Sequence, residues 1–142
     1  MNNRGFSLIE LVIVIAIAVI VMAISAPAMK TWLDNSKKNE VAREILSGLR
    51  HARSLAITGN QEVTASIDLD NHTLTYSGIV MSFPTTVSLA ASADDATWVS
   101  TGILSTGFEP RGSCTALLYI RVDNNDNLKV QISSLASGLA KL

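Results

Sequence analysis

One cysteine, Cys114, is all that the 142 residues contain, so no disulfide within the chain can staple the fold. Also missing are the short patterns that announce common chemistries. There is no nucleophile elbow, phosphate-binding loop, H-E-x-x-H or paired-cysteine spacing. Nothing in the sequence argues for an enzyme or calls for a cofactor. Positive charge is scarce in the C-terminal part: beyond Gly59, eight acids stand against Arg111, Arg121, Lys129 and Lys141. That balance has the wrong sign for holding a phosphate backbone, and it speaks against DNA as a partner. Internal repeats and low-complexity tails are absent as well.

The most informative absence is that of charge between Leu11 and Met29, nineteen residues in succession. At ~1.5 Å per residue, a helix of that length nearly crosses a ~30 Å hydrocarbon core. Just ahead of it stands one carboxylate, Glu10. An acidic residue at the centre of a membrane helix costs roughly 2.5–3.5 kcal/mol on insertion scales. Glu10 therefore either lies shallow enough to reach water or meets a specific partner. A secretory signal fits poorly. The basic part is only Met1–Arg4, the run exceeds the ~7–15 residues of an h-region, and Ser25–Met29 is merely the nearest approach to a cleavage pattern.

The hexapeptide Gly5-Phe6-Ser7-Leu8-Ile9-Glu10, abutting an apolar helix, resembles the class III leader of type IV pilins and type II secretion pseudopilins. The resemblance implies cleavage by a prepilin peptidase between Gly5 and Phe6, followed by N-methylation of Phe6. It also implies that Glu10 meets the N-terminal amine of a neighbouring subunit during fibre assembly. Elementary chemistry agrees. Gly5 puts no side chain at the scissile bond, the new amine lies about one helical turn from Glu10, and a carboxylate suits the first turn of a helix. A snorkelling carboxylate near the interface is the plain alternative. The resemblance places the N-terminus in the cytoplasm and the C-terminal domain in the periplasm. The bases Lys30, Lys37 and Lys38 after the run do not give that orientation by themselves.

Pro27 follows the most apolar part, where a missing donor and a clash with the preceding turn predict a kink. Beyond it Ala42, Ile45, Leu49, Ala52 and Ala56 recur at spacings of three and four, with Leu46 and Leu55 alongside. This is the stripe of an amphipathic helix that packs on a sheet. Gly59-Asn60 supplies its stop. Period two then takes over. Glu62–Tyr76 reads as a hairpin about Asp70-Asn71, and Thr115–Val122 with Asn127–Ile132 as a second hairpin about Asp123–Asp126. Val87–Ala91 and Trp98–Leu104 are weaker strands, and Ser77–Gly107 shows no clean period. The expected organisation is a leader (1–5), a transmembrane and assembly helix (6–29), a spine helix (30–58) and a β-rich domain (60–142). The fold class is α+β, a pilin-like long helix on an antiparallel sheet.

Phe108-Glu109-Pro110-Arg111-Gly112 resembles the Phe-x-Pro-x-Gly segment of the GspH/FimT pilin subfamily. Pro110 and Gly112 make a tight turn with Phe108 as apolar anchor, a structural element before it is a contact site. Some members of that subfamily that serve DNA uptake carry a C-terminal Gly-Arg-x-Arg. Here Gly138-Leu139-Ala140-Lys141 keeps the glycine and at best one base. Asp123, Asn125 and Asn127 mimic the opening of a calcium loop, but Leu128 replaces its glycine and Ser134 its closing glutamate, so a hairpin turn is expected. Asp68, Asp70 and His72 read as exposed hairpin polarity. His51 suits a helix C-terminus, and Cys114 reads as a small buried residue. Asn71-His72-Thr73 is formally a glycosylation sequon, a pattern too common to weigh. The resemblance implies a structural subunit, a minor pilin of a type IV pilus. The alternatives are a type II secretion pseudopilin and an anchored DNA-binding minor pilin. Its implied partners are the prepilin peptidase, the inner membrane and other pilin subunits.

Overall fold

The computed structural model describes residues 7–132 and 139–142, with the backbone alone for 24–28. Among the described residues, one helix, α1 (Leu8–Gly59), precedes eight strands: β1 (Val63–Asp68), β2 (Thr73–Tyr76), β3 (Ile79–Ser82), β4 (Leu89–Ser92), β5 (Ile103–Phe108), β6 (Tyr119–Val122), β7 (Asn125–Ile132) and β8 (Ala140–Lys141). The strands form two four-stranded antiparallel sheets, ordered β3-β2-β1-β5 and β4-β6-β7-β8. The chain divides into two compact units, Met1–Ser36 and Lys37–Leu142.

In the second unit the helix buries the stripe its spacing predicts. Ala42, Ile45, Leu49, Ala52 and Ala56 are wholly buried, Val41 nearly so, and Leu46 and Leu55 flank them half-buried. Ile67, Leu74, Phe108, Ile120, Val130 and Ile132 from both sheets complete one core. Gly48 permits a close approach of helix and sheet, since a Cβ there would stand 2.6 Å from Leu74 Cδ2.

The helix ends as expected, but the left-handed residue is Asn60 (φ 47°) rather than Gly59. Asn60 N–H donates to the Ile57 carbonyl and Gln61 N–H to the Ala56 carbonyl, the two bonds of a Schellman motif. The helix is unbroken through Pro27. The kink expected there concerns a residue whose side chain lies outside the description.

The two outer hairpins form where their sequences place them, β1–β2 pairing Ile67 with Leu74 and β6–β7 pairing Ile120 with Val130. Three expectations need correction. There are two sheets instead of one. Residues 98–102 contribute a single bridge at Val99, because Gly102 takes φ 89° and Trp98 stacks instead on Arg121. The hairpin strand expected from Thr115 begins only at Tyr119, because side chains tie the preceding segment: Thr106 Oγ1 donates to the Ala116 carbonyl and Gly107 N–H to Thr115 Oγ1. Two strands come unannounced, β3 and β8. The signal for β3 is Ser77-Gly78, a two-residue turn with both φ values positive (47° and 80°), which suits a tight hairpin.

Candidate functional site

The first described turn of α1 is built on Ser7. Its carbonyl accepts the N–H groups of Glu10 (3.1 Å) and Leu11 (3.2 Å), so Ser7 caps the helix and Glu10 is its third residue. Ser-x-x-Glu at these positions is the capping-box pattern. The Glu10 carboxylate is exposed beside the positive end of the helix. It is the only charge from Leu8 to Met29.

Around it the helix is apolar on every side and uncovered. Leu8, Ile9, Leu11, Val12, Ile13, Val14, Ile15, Ile17, Val19, Ile20, Val21 and Met22 are all at least half exposed. A helix apolar all round needs an apolar surrounding, a membrane or a bundle of like helices. Among the described residues no helix is long and apolar enough to cross a membrane. The uncharged run Leu11–Met29 includes residues 24–28, whose side chains lie outside the description. Gly5 and Phe6, where cleavage and methylation are expected, also lie outside it.

The second expected element, the turn after β5, is locked at three levels. Phe108 is completely buried and bridges Cys114 across the hairpin. Glu109 N–H donates to the Ser113 carbonyl, and Gly112 N–H closes the turn on the Glu109 carbonyl at 2.8 Å, with Pro110 in the position its fixed φ favours. Gly112 takes φ 84°, a value costly for any side chain. From the helix, Arg53 Nε donates to the Gly112 carbonyl at 2.9 Å. A Cβ on Gly112 would stand 2.8 Å from that guanidinium. The turn thus fastens β5 to the spine of the domain, and its backbone is engaged from within.

The remaining described candidates make their contacts within the fold. Asp123 and Asn124 form the two-residue β6–β7 turn with φ 55° and 53°, and the Asp123 carboxylate meets Lys38 Nζ at 2.6 Å. The calcium-loop likeness is therefore spent on a hairpin. Asp68 accepts from the backbone of Asp70 and Asn71 and from Asn71 Nδ2, which holds its carboxyl below the ordinary carboxylate range. Asp70 instead accepts from Gly102 N–H at 2.9 Å, and His72 takes φ 52° with its Nδ1 buried and without a hydrogen-bond partner. The three do not converge. His51 Nδ1 lies 3.2 Å from the Tyr76 hydroxyl. Burial raises the Cys114 thiol. Gly138 lies outside the description, while Ala140 and Lys141 form β8, whose Ala140 carbonyl accepts from Arg50 Nε. Asp94, unmarked by any motif, folds residues 92–97 around its carboxylate. N–H groups of Thr97 (2.7 Å) and Ala96 (2.9 Å) donate to it and lower its pKa strongly.

An open groove of about 500 Å³ lies between the helix and the loop after β3, lined by Lys37, Glu40 and Glu44 with Ser82, Pro84 and Thr86. Its charges are mixed and no histidine or cysteine lines it.

Comparison with known proteins agrees with the geometry. Residues 1–26 match the prokaryotic N-terminal methylation motif, and residues 41–138 match the family described as type II transport protein GspH. Among solved structures, the type IV minor pilin FimU of Pseudomonas aeruginosa has a similar fold, with a TM-score of 0.55 at 16% identity. That match covers 77% of this chain and 90% of FimU. No curated protein sequence matches.

Proposed function

We propose that this chain, which belongs to the GspH family of minor pilins and pseudopilins, primes or caps a type IV pilus-like fibre. The N-terminal methylation motif implies processing by a prepilin peptidase and assembly with pilin-like subunits. In the finer reading, cleavage falls between Gly5 and Phe6, and Phe6 receives the methyl group. Residues 6–29 hold the subunit in the inner membrane with residues 60–142 in the periplasm. The Glu10 carboxylate then meets the Phe6 amine of a neighbour when the subunit leaves the membrane for the fibre.

The observation that carries this reading is the first half of α1, apolar and exposed all round with one carboxylate in its first turn. Moving such a helix from lipid into a bundle of like helices keeps its apolar surface covered throughout. A carboxylate paired with an amine avoids the cost of an unpaired charge in that bundle. The Phe108–Gly112 turn keeps the domain rigid on its spine rather than reading a ligand.

The description of the matching family favours one second reading, a pseudopilin of a type II secretion fibre. The same helix serves both. Deleting the gene and scoring piliation and exoprotein secretion in parallel separates them: the pilus reading expects lost piliation with secretion intact, and the secretion reading expects the reverse. Mass spectrometry of the membrane-localised chain tests the shared premise, with N-methylated Phe6 at the N-terminus as the expected result. An intact Met1 would remove the foundation of both.

A further inference from the structure

We propose that Trp32, with Met29, Lys30 and Leu33, is a lipid-interface anchor that fixes how deeply the subunit rests in the membrane before assembly. The inference rests on the anchor reading above and adds the element that sets its depth.

Met29, Trp32 and Leu33 follow at spacings of three and four, so they share one face of α1. All three are open to solvent at 72%, 67% and 48%. They belong to the first unit, outside the core that α1 builds further along. A tryptophan two-thirds exposed on a helix is costly in water, and this one continues the apolar run without a gap in the helix.

Spacing decides which surrounding suits it. Glu10 and Lys30 are the charges that bound the run, twenty residues apart on one helix. At ~1.5 Å per residue that is about 30 Å, the thickness of the hydrocarbon core. With Glu10 at one boundary, Lys30 reaches the other, where its long stem lies along apolar surface and its ammonium meets lipid phosphates. Trp32 stands about 3 Å further along the helix, at the headgroup level. That is where the indole ring prefers to be, its apolar body towards the acyl chains and its N–H towards water. Asp34 lies on the opposite side of the helix from Met29, and Lys37 and Lys38 follow within two turns, which marks the polar side of the boundary. The occupant of this surface is the lipid headgroup region, in preference to a second protein. A protein-facing tryptophan has no need to stand one hydrocarbon thickness from the first carboxylate.

The chain has two tryptophans, so Trp98→Phe leaves Trp32 as the only indole. The full chain carrying that change is reconstituted into phosphatidylcholine–phosphatidylglycerol vesicles. Lipids brominated either near the headgroup end or near the tail end of their acyl chains are included. Quenching of Trp32 should be roughly twofold stronger with the shallow bromines, and its emission should lie to the blue of the free indole. A Trp32→Phe chain, with Trp98 alone, should show no quenching by either lipid. If the chain floats with the vesicles but Trp32 is unquenched, or is quenched more by the deep bromines, the depth anchor is wrong while the membrane anchor stands. Emission that ignores the lipid and changes with chain concentration would assign Trp32 to a subunit contact, and also overturns the proposal. Failure to float at all removes both.

Discussion

The two halves of α1 are both rich in aliphatic side chains, and they meet opposite conditions. From Leu8 to Met22 the apolar residues are exposed around the whole circumference, whereas from Val41 to Ala56 they form one stripe buried to the last few per cent, with Leu46 and Leu55 half-buried at its edge. The difference lies in what separates the apolar residues. In the second half Glu40, Arg43, Glu44 and Arg50 interrupt them at helical period, so a single sheet-facing stripe satisfies the helix. In the first half only Glu10 interrupts, and no single packing partner can cover every side. Hydrophobicity alone therefore says little. Its angular distribution separates a helix that completes a domain from one that needs a membrane or a fibre.

The comparison can be broken most severely at the core. Phe108→Ala empties the largest fully buried side chain among the described residues and should cost about 3–5 kcal/mol, read as a fall in denaturant midpoint of the full chain in detergent. Paired truncations in the two halves of α1 probe it directly. Ile45→Ala should cost about 2–5 kcal/mol, whereas Ile13→Ala, about half exposed, should stay within about 0.5 kcal/mol. Equal losses at the two isoleucines would erase the difference between the two halves. Gly112→Ala should come next, about 1–2 kcal/mol, because its φ of 84° penalises a Cβ and the Arg53 guanidinium occupies the space.

Acid provides the gentlest probe. Asp94 and Asp68 both titrate below their ordinary value of 3.8 in the folded chain. Between the unfolded and folded values the unfolded chain binds more protons, so stability rises with pH there. The contribution is present above about pH 4 and fades as pH falls through the folded values. Thermal unfolding followed downward from about pH 5 should show the decline, and Asp94→Asn should flatten part of it. No decline beyond that of the Asp94→Asn chain would mean that the loop contacts do not persist in solution.

Much of this was legible in the residues. The helix stripe, its stop and the β1–β2 hairpin follow from period and turn chemistry, and the N-terminal hexapeptide announces the family. The unread parts have physical reasons. β3 is an edge strand with three of its four residues exposed, so Ile79-Val80-Met81-Ser82 shows no alternation. β8 has two residues and depends on pairing with β7 and on Arg50 from the distant helix. The division into two sheets is a matter of long-range pairing, β1 with β5 and β4 with β6, which local period does not encode. The Phe108–Gly112 turn was visible as a turn, but its clamp to Arg53, 59 positions earlier, was not.

The most direct test of the assembly account concerns Glu10. Its carboxylate is exposed in the first turn and Glu10 is not a member of the domain core, so Glu10→Ala should leave domain stability and membrane level unchanged. Purified fibres from cells carrying Glu10→Ala should contain at least roughly tenfold less of the subunit, the equivalent of about 1.4 kcal/mol for one lost charge-assisted contact. Fibres that take up the variant at the normal level, with the subunit equally abundant in the membrane, would contradict it.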